Sequence, residues 1–351
     1  MDKRLLKIKE ILLKNDCDGY IVTNDSDIRY FSGLKSSNIL LLITNNKSYV
    51  LSDARYKYMI ERQKIFEPHC VTKSIIESVA DLAGELNLKR IMIDPEYINH
   101  KNYKILSEKL NLIDFSNITR ELRIIKTKEE IENIKKAQEI SEKAFLYVLK
   151  NIKAGDTTSK IASLLDYKMS EFGSEEPAFS SIVVNEEESA DCHGVPSDKK
   201  ICNGDIILFD FGATYNGYRS DMTRTIAFGT ISEEKKKIYD IVYNAHILSE
   251  KALKPGVKCM EIDKIARDYI DSFSYKDLFL HSLGHGVGID IHESPTLSFK
   301  SEEVLKEGMV VTVEPGIYFK DKFGIRIEDT YIVMKNGAES IAKIDKKLII
   351  I

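Results

Sequence analysis

A tetrapeptide that occurs twice constrains the fold of the second half of this chain more than any other feature. Ser141-Glu142-Lys143-Ala144 recurs as Ser249-Glu250-Lys251-Ala252, and each copy precedes a Lys-x-Gly break, at Lys153-Ala154-Gly155 or Lys254-Pro255-Gly256. After each break the pattern predicts a second helix and then strands that carry acidic or histidine residues. The repeated context indicates an internal duplication. We therefore expect two pseudo-symmetric halves that face one another across a sheet, with a cleft between them.

The first third of the chain has a different pattern, in which predicted helices alternate with predicted strands. Its first helix is amphipathic, with Leu5, Ile8 and Leu12 on one face. The predicted helices are 2–14, Arg55–Lys64, Ile75–Leu86 and Tyr103–Leu110, and the predicted strands are Gly19–Thr23, the two arms around Asn45-Asn46-Lys47, Arg90–Ile93 and Leu112–Phe115. This alternation indicates a small layered α/β domain with a mixed sheet.

A boundary between two domains is predicted where this alternation stops. Thr127, followed three residues later by Glu130, has the form of a capping box, so we expect a long helix from about 128 to 152. A chain of 351 residues is also too long for one typical hydrophobic core. We therefore divide the chain into residues 1–122 and 123–351.

Composition and charge exclude several classes of protein. A net charge of −4 gives no reason to expect nucleic acid or an anionic membrane as a partner. The longest strongly apolar run, Ile39–Ile43, is far shorter than the ~18–20 residues of a membrane span. The charged N-terminal helix also differs from a signal peptide. The five cysteines are odd in number and lack CxxC spacing, which argues against a disulfide framework and favours the cytoplasm.

The run Gly204–Gly229 predicts a β-hairpin. Asn216-Gly217, between two β-rich arms, is typical of a type I′ turn. With these as the loop residues, Tyr215 pairs with Tyr218. This register determines which residues of the two arms face one another.

The predicted register brings two aspartates together. Asp210 lies opposite Thr223, and Asp221 lies diagonally from Asp210 on the same face, at about 7–8 Å between Cα atoms. Asp210 also interrupts the apolar run Ile206–Phe211, where a carboxylate is costly unless it is paired or metal-bound. Either aspartate alone could instead cap a turn at a strand end. Two of them on one face indicate a metal site.

Three of the chain's seven histidines, His281, His285 and His292, lie in one glycine-rich stretch. Glycines let the backbone and a ligand approach closely. Neutral imidazole is the commonest nitrogen ligand of metals and also transfers protons near neutral pH. One of these histidines could be a satisfied core residue, but the cluster as a whole predicts a functional site.

Two further acids stand on apolar strands. Glu314 precedes Pro315-Gly316. Because proline ends the hydrogen-bond ladder of a strand, the Glu314 carboxylate is expected at a strand terminus. Glu328 lies two residues after Arg326, so the two side chains share a face. An alternative interpretation of that spacing is a salt bridge at a sheet edge.

These acids and one imidazole form an oxygen-rich, thiolate-free set. Such a set favours hard or borderline ions, Mn²⁺ or Co²⁺, over structural zinc. Four carboxylates balance the charge of two dications, and without metal they could not all remain ionised cheaply. Two ions about 3.5–4 Å apart lower the pKa of a shared water and make hydroxide available at neutral pH. The residues therefore predict metal-assisted hydrolysis, although they do not identify the bond that is cleaved.

Several long motifs resemble the Xaa-Pro metallopeptidases of the pita-bread fold, in the prolidase and aminopeptidase P branch, and most of all the short prolidases of archaea and bacteria. The motifs are IRYFSG from Ile28, LRIIKTKEEIE from Leu122, FDFGA and SDMTRT in the hairpin, HSLGHGVG from His281, VLKEGMVVTVEPGIY from Val304 and IRIEDT from Ile325. The resemblance covers nearly the whole chain. It implies a creatinase-like α/β N-terminal domain over 1–122 and an α+β pita-bread domain with pseudo-two-fold duplication over 123–351.

The resemblance further implies a homodimer and hydrolysis of the bond before proline in dipeptides or short peptides. Asp210 would chelate one metal, His285 and Glu314 would hold the other, and Asp221 and Glu328 would bridge both. A hydroxide between the metals would attack the carbonyl carbon before proline. The implied catalytic or substrate-binding residues are Glu314 as proton acceptor, His281 and His292 as oxyanion donors and His193 near the substrate, with Tyr318 and Arg326 orienting Glu314 and Glu328.

One loop departs from the family pattern. Family members usually have a small, glycine-containing loop that ends in Pro-His before the first metal ligand, whereas Asn185–His193 is acidic and lacks that glycine and proline. The departure weakens the assignment of His193. The negative charge of this loop is also expected to disfavour binding of a substrate that has a free carboxylate.

Other activities on the same scaffold are distinguishable. Prolidase is favoured by overall motif similarity, with aminopeptidase P as the alternative. A creatinase-like amidinohydrolase would not need all five metal ligands, and methionine aminopeptidases generally lack this N-terminal domain. A non-catalytic binding protein, the remote alternative, would normally have lost ligands.

Overall fold

The computed structural model describes residues 3–351, which form two compact units that divide between Arg123 and Ile124. Position 2, where the first helix was predicted to begin, lies outside the described residues. Within the described range, no helix combines the length and the apolar character needed to cross a membrane.

The first unit is built on one mixed sheet. Its helices are α1 (Lys3–Lys14), α2 (Asp25–Ser32), α3 (Lys57–Arg62), α4 (Ile75–Glu85), α5 (His100–Ser107) and α6 (Arg120–Ile124). Its strands are β1 (Gly19–Val22), β2 (Ile39–Thr44), β3 (Ser48–Asp53), β4 (Glu67–Val71), β5 (Arg90–Ile93) and β6 (Asn111–Asp114). The strand order is β4-β3-β2-β1-β5-β6, with antiparallel pairing on both sides of β2 and parallel pairing elsewhere. The predicted mixed sheet is confirmed.

Amphipathic patterns explain which faces of this unit are buried. Leu5, Ile8 and Leu12 of α1 are buried, as their spacing predicts. Three elements were not predicted, α2, β4 and α6. Helix α2 has an Asn24 N-cap and a left-handed Gly33 at its C-terminal end, which are recognisable start and stop signals around a short segment.

The second unit contains two helix pairs, each followed by strands. Its helices are α7 (Lys128–Asn151), α8 (Thr158–Glu171), α9 (Glu233–Ala252) and α10 (Cys259–Asp271). Its strands are β7 (Ile182–Asn185), β8 (Asp205–Phe211), β9 (Thr214–Tyr215), β10 (Tyr218–Arg219), β11 (Met222–Phe228), β12 (Gly284–Gly286), β13 (Glu293–Leu297), β14 (Val310–Val313), β15 (Gly316–Phe319), β16 (Phe323–Arg326), β17 (Asp329–Met334) and β18 (Gly337–Ser340). The first half contributes a sheet β11-β8-β7, and the second half contributes a sheet β13-β12-β14-β17-β18. The predicted capping box of Thr127 and Glu130 opens α7.

The predicted duplication is visible in the backbone. In each half the turn between the two helices is held in the same way: the Gly155 N–H donates to the Ile201 carbonyl, and the Gly256 N–H donates to the Leu305 carbonyl, both at 2.9 Å. Both glycines adopt positive φ, 89° and 90°, where a side chain would be strained. The two halves therefore repeat one structural plan.

The hairpin register also agrees with the prediction. Tyr215 pairs with Tyr218, and Asp210 pairs with Thr223. Asn216 and Gly217 both have positive φ, 48° and 83°, as a type I′ turn requires. The Asn216-Gly217 turn thus sets the position of Asp210 on its sheet.

Candidate metal centre

A cavity of about 420 Å³ in the second unit gathers most of the predicted site residues. Its lining includes Asp210, Asp221, Glu314, Glu328, His193, His281, His285, His292 and Arg326. Tyr318 contributes to a neighbouring surface instead, but it contacts two of these side chains. Residues from both halves therefore meet at one place.

Three of the four acids flank strands, whereas Asp210 lies within β8 and pairs with residues of both neighbouring strands. Asp221 immediately precedes β11 and Glu328 immediately precedes β17, whereas Glu314 immediately follows β14. Asp221 and Glu328 are only 4% and 2% exposed. Such burial is costly for a carboxylate that lacks a cation.

His285 shows how the centre is prepared for a positive ion. Its Nδ1 lies 3.1 Å from the Gly286 carbonyl, which requires a hydrogen on Nδ1. The lone pair of Nε2 therefore faces carboxylate oxygens of Asp221 and Glu314, at 3.5 Å and 3.4 Å. Asp221, His285 and Glu328 together offer ligand atoms that all lie within 4.8 Å of one another. Several electron-rich atoms that converge in this way fit a metal cation.

The electrostatics of the four acids lead to the same conclusion. Burial raises the pKa of Glu314 to about 8, with Asp210 adding to the effect against the opposing charge of Arg326. Burial and the neighbouring carboxylates also raise the pKa of Asp221 and of Glu328 well above the ordinary range. Two buried oxygens, Asp210 Oδ1 and Glu328 Oε1, have no hydrogen-bond donor among the described residues. Divalent ions would satisfy both the charge and these oxygens.

Arg326 is the cation of the cavity wall, and its donors are already used. It is 2% exposed, and it donates to Asp210 Oδ2 at 2.5 Å, to the Tyr318 hydroxyl at 2.8 Å and to the Thr223 hydroxyl at 3.1 Å. The structure thus places Arg326 against Asp210, and not against Glu328 as an edge salt bridge would require. Its direct partners also differ from the expected ones, Glu314 and Glu328.

His281 is held in one tautomer by a chain of hydrogen bonds. Its Nδ1 lies 2.9 Å from the Ser282 carbonyl and its Nε2 lies 2.8 Å from the Tyr318 hydroxyl. Burial, then the charge of Arg326, lowers the pKa of His281 to about 3, so the ring is neutral. Nδ1 therefore carries the hydrogen, and the Tyr318 hydroxyl donates to Nε2. Both ring nitrogens are engaged before any substrate arrives.

The other histidines are placed differently. The ring of His292 packs edge-to-face on His285, with centroids 4.4 Å apart. Burial, then the nearby charge of His292, lowers the pKa of His285 to about 4, which keeps the imidazole neutral and able to act as a ligand. His193 lies in the cavity wall with an exposed side chain.

Two threonines that the sequence reasoning did not select support the acids. The Thr223 hydroxyl donates to Glu328 Oε2 at 2.7 Å, and the Thr312 hydroxyl donates to Glu314 Oε1 at 3.3 Å. Thr312 also accepts the His285 N–H at 3.0 Å. The sequence contained a signal for each threonine. Thr223 was predicted to lie opposite Asp210, and Thr312 lies two residues before Glu314, so its side chain is expected on the same face.

The negative charge of the acidic loop is partly compensated within the protein. Glu186 forms an ion pair with Lys235 at 2.6 Å, and Glu187 forms one with Lys199 at 2.7 Å. Glu188 accepts the Ser197 hydroxyl at 2.7 Å. The expected repulsion of a substrate carboxylate by this loop stays a prediction. Two of its four acids are paired with lysines, whereas Glu188 Oε2 has no hydrogen-bond donor and Asp191 makes no ion pair among the described residues.

Comparison with known families identifies the chain. Residues 4–125 match the Creatinase/Prolidase N-terminal domain, and residues 132–335 match Metallopeptidase family M24. The second match alone spans more than half of the chain. The chain belongs to metallopeptidase family M24. The metallopeptidase that the family resemblance implied is thereby confirmed.

Similar proteins extend over the full length of this M24 peptidase. It is 38% identical to the Xaa-Pro dipeptidase of Pyrococcus furiosus, across 99% of this chain and 100% of that one. Among solved structures, the Xaa-Pro dipeptidase from Bacillus anthracis has a TM-score of 0.95 at 36% identity, covering 99% of both chains. The X-Pro aminopeptidase from Thermotoga maritima has a TM-score of 0.91 at 35% identity, covering 98% of this chain and 100% of that one. The predicted creatinase-like and pita-bread architecture is confirmed.

Proposed function

We propose that this M24 peptidase is a prolidase, which hydrolyses the peptide bond before proline in Xaa-Pro dipeptides or short peptides. The observation that carries the proposal is the convergence of four buried or partly buried carboxylates and the Nε2 lone pair of a neutral histidine in one cavity. Full-length similarity to a protein named Xaa-Pro dipeptidase supports the choice of bond.

The proposed metal ligands are the five residues predicted from the sequence. Asp210 would hold one ion, His285 and Glu314 the other, and Asp221 and Glu328 would bridge both. Four carboxylates balance two dications, and the predominance of oxygen ligands favours Mn²⁺ or Co²⁺. Bound there, two such ions would lower the pKa of a water and supply the hydroxide for hydrolysis at neutral pH.

The residues of the chain would contribute positioning and proton transfer. Glu314 is the proposed acceptor of the proton from the attacking water, since burial gives its carboxylate an unusually high proton affinity in the metal-free protein. His292 is the proposed donor to the developing oxyanion, because within residues 3–351 its ring nitrogens make no hydrogen bond. His281 would support the site through Tyr318, whose hydroxyl it accepts. Arg326 would hold Asp210 in place.

Aminopeptidase P activity, the removal of the first residue from Xaa-Pro-Xaa peptides, is a second candidate. The observation that favours it is the likeness to the X-Pro aminopeptidase from Thermotoga maritima, which is nearly as high as that to the dipeptidases. A non-catalytic pita-bread binding protein is disfavoured, since all five proposed ligands are present and four of them are acids that burial makes costly.

We further propose that residues 1–122 form the creatinase-like domain and 123–351 the catalytic domain of a cytoplasmic homodimer. All five cysteines are free thiols, which suits a reducing compartment. Two of them, Cys17 and Cys259, are buried, and burial raises the pKa of each thiol. Light scattering of the purified protein tests the dimer.

The decisive experiment measures metal content and rate on the same purified sample. We expect about two Mn²⁺ or Co²⁺ ions per chain and hydrolysis of an Xaa-Pro dipeptide, an Xaa-Pro-Xaa tripeptide or both. The rate ratio of the two substrates separates prolidase from aminopeptidase P. Full metal occupancy with no cleavage of either peptide would contradict the proposal, and a protein that binds no metal would favour the binding module.

A further inference from the structure

A second cavity, of about 650 Å³, adjoins the metal cavity. The two share Phe179 in their walls. The segment that follows Phe179 and the segment from Cys192 to Pro196 each contribute to both cavities, with Ile182, Cys192 and His193 on the metal side and Ser180, Ser181 and Pro196 on the other. A bound peptide that outgrows the first cavity therefore has an adjoining space.

Arg219 lines this second cavity with its donors unused. Its backbone is fixed, because it pairs with Thr214 in the β9–β10 ribbon and donates its N–H to the Gly288 carbonyl at 2.8 Å. Its side chain is half-buried. Within the part of the chain that the structure describes, the guanidinium makes neither a hydrogen bond nor an ion pair. An unpartnered guanidinium on a fixed backbone at a cavity wall is suited to bind a planar anion.

The other arginine of the two cavities and the acids of the second cavity already have partners. Arg326 is used by Asp210, Tyr318 and Thr223, as described above. In the second cavity, Asp166 accepts the Ser181 hydroxyl at 2.6 Å, and Glu176 also has partners within the protein. Arg219 is therefore the arginine of these walls that is still able to receive an anionic group.

The backbone of Arg219 is also linked to the metal cavity. Its N–H donates to the carbonyl of Gly288, which lies in the chain between the cavity-lining residues His285 and His292. Arg219 itself lines the second cavity.

Resting on the proposed function, we propose that Arg219 binds the C-terminal carboxylate of peptides longer than two residues, with the end of the peptide in the second cavity. A dipeptide carboxylate stays next to the reacting bond, in the metal cavity. Each further residue moves the carboxylate outward by up to about 3.3–3.6 Å. Short Xaa-Pro-Xaa peptides with a free C-terminus therefore gain binding from Arg219, whereas dipeptides are cleaved without its help.

The test combines a protein variant with a change in the peptide. For the Mn²⁺-loaded wild-type protein and Arg219→Gln, kcat and KM are measured on an Xaa-Pro dipeptide, an Xaa-Pro-Xaa tripeptide and the C-terminal amide of that tripeptide. We expect Arg219→Gln to raise KM for the tripeptide acid about 10–100-fold, as loss of a hydrogen bond to a charged group predicts. The amide and the dipeptide should be unaffected by the substitution. Arg62→Gln, at an exposed arginine of α3, is the matched control and should change nothing.

A loss that is equal for the acid and the amide, or that includes the dipeptide, would overturn the role of Arg219. A wild-type protein that cleaves no proline peptide would overturn the proposed function instead. In that case calorimetry on the metal-free protein still decides the inference. The tripeptide acid should bind more tightly than its amide in the wild type and equally in Arg219→Gln, whereas equal binding in the wild type would end the proposal.

Discussion

Two buried clusters of charge lie side by side in the second unit, and they are built in opposite ways. The acidic centre consists of Asp210, Asp221, Glu314 and Glu328, which share one arginine. The balanced cluster consists of Arg224, Glu250, Asp329 and Lys346. In the balanced cluster Asp329 lies 2.7 Å from Arg224 and 2.8 Å from Lys346, and Lys346 lies 3.1 Å from Glu250. Every charge there has an opposite partner.

Adjacent residues show what this difference does. Glu328 and Asp329 are 2% and 1% exposed, so desolvation affects both. Burial raises the pKa of Glu328 well above its ordinary range, and the other acids raise it further. Burial would also raise the pKa of Asp329, but Arg224, His246 and Lys346 reverse the shift and lower it. The charged partners, and not burial, therefore decide the direction of the pKa shift. The Asp329 carboxylate stabilises the fold, whereas the Glu328 carboxylate needs an added cation.

The balanced cluster also holds the backbone of the acidic centre. Arg224, which is fully buried, donates to the Glu328 carbonyl at 2.7 Å and to the Ile344 carbonyl at 2.8 Å. The segment that follows β18 is thereby tied to a proposed metal ligand. The balanced cluster therefore does not lower the stability of the fold, whereas the acidic centre makes the metal-free protein less stable and leaves room for a metal to bind.

The largest effect is expected for Glu328→Gln. Glutamine has nearly the same shape as glutamate but carries no negative charge to bind a cation. Activity should therefore fall by more than about 100-fold, which exceeds the usual loss of about 10–100-fold when a contact that supports a metal ligand is removed. The free energy of unfolding of the metal-free protein should rise at the same time, because a costly buried carboxyl is gone. Steady-state kinetics and denaturant unfolding in a chelator measure the two effects.

The matched control for this substitution is Glu142→Gln. Glu142 is also buried, but its carboxylate accepts the Lys343 and Ile344 N–H groups outside the cavity. An amide oxygen can still accept these bonds, so activity should remain. A Glu328→Gln protein with near-normal rate and two bound metals would refute the assignment of Glu328.

Asp329→Asn should lower the free energy of unfolding, whereas Glu328→Gln should raise it in the metal-free protein. Removing one partner of a buried ion pair leaves Arg224 and Lys346 uncompensated, which costs about 3–5 kcal/mol of folding free energy. The midpoint of urea unfolding should therefore fall, with or without metal. If Asp329→Asn and Glu328→Gln moved the midpoint of the metal-free protein in the same direction, the distinction between the clusters would fail.

Thr223→Val tests a support of the acidic centre without changing its charge. Valine keeps the shape but removes the hydroxyl that donates to Glu328 and accepts from Arg326. Metal affinity should fall about 10–100-fold, the usual cost of removing such a contact. Thr158→Val, which removes a buried hydroxyl bonded to Ser197, is the control and should leave metal affinity unchanged. Equal affinity in both variants would show that the hydroxyl of Thr223 is dispensable.

Local chemistry explains what was predictable from the sequence. The Asn216-Gly217 turn determined the pairing of Asp210 with Thr223, because the register of a hairpin follows from its turn. The tetrapeptide repeat predicted the two halves for a similar reason, since a repeated helix and turn signal needs no long-range information. Strand β4 was missed because only Val71 of its five residues is buried and Pro68 interrupts the pattern.

Contacts between distant segments were the part that could not be predicted. Spacing suggested that Arg326 would pair with Glu328, two residues away, whereas the fold brings it to Asp210, which is 116 positions away along the chain. Arg224 likewise gave no signal, because its partners come from β17 and from the segment after β18. A sequence shows which residues can carry charge, but only the packed sheets show which charges are left without partners.

The smallest expected effect is a pH dependence whose sign differs between the clusters. In the metal-free protein the pKa of Glu314 is raised to about 8, so between its ordinary value and about 8 the folded state binds the extra proton. Stability must then fall as pH rises, by up to about 1.4 kcal/mol per pH unit for each such group. The lowered pKa of Asp329 has the reverse effect: its contribution is present above the ordinary pKa of an aspartate and is lost as pH falls. Metal-free protein should therefore be most stable in mildly acidic solution.

Thermal unfolding in a chelator between about pH 2 and pH 9 measures this dependence, because the contribution of Asp329 is lost only below the ordinary pKa of an aspartate. Glu328→Gln should flatten the alkaline side and leave the acidic side unchanged, and Asp329→Asn should do the converse. Mn²⁺ should raise Tm more at the alkaline end, because ligand carboxylates must lose their protons before they bind metal. A Tm that rises steadily with pH in the chelator would mean that the four acids are already neutralised within the protein. The acidic centre would then have no need of a cation, and the contrast with the balanced cluster would disappear.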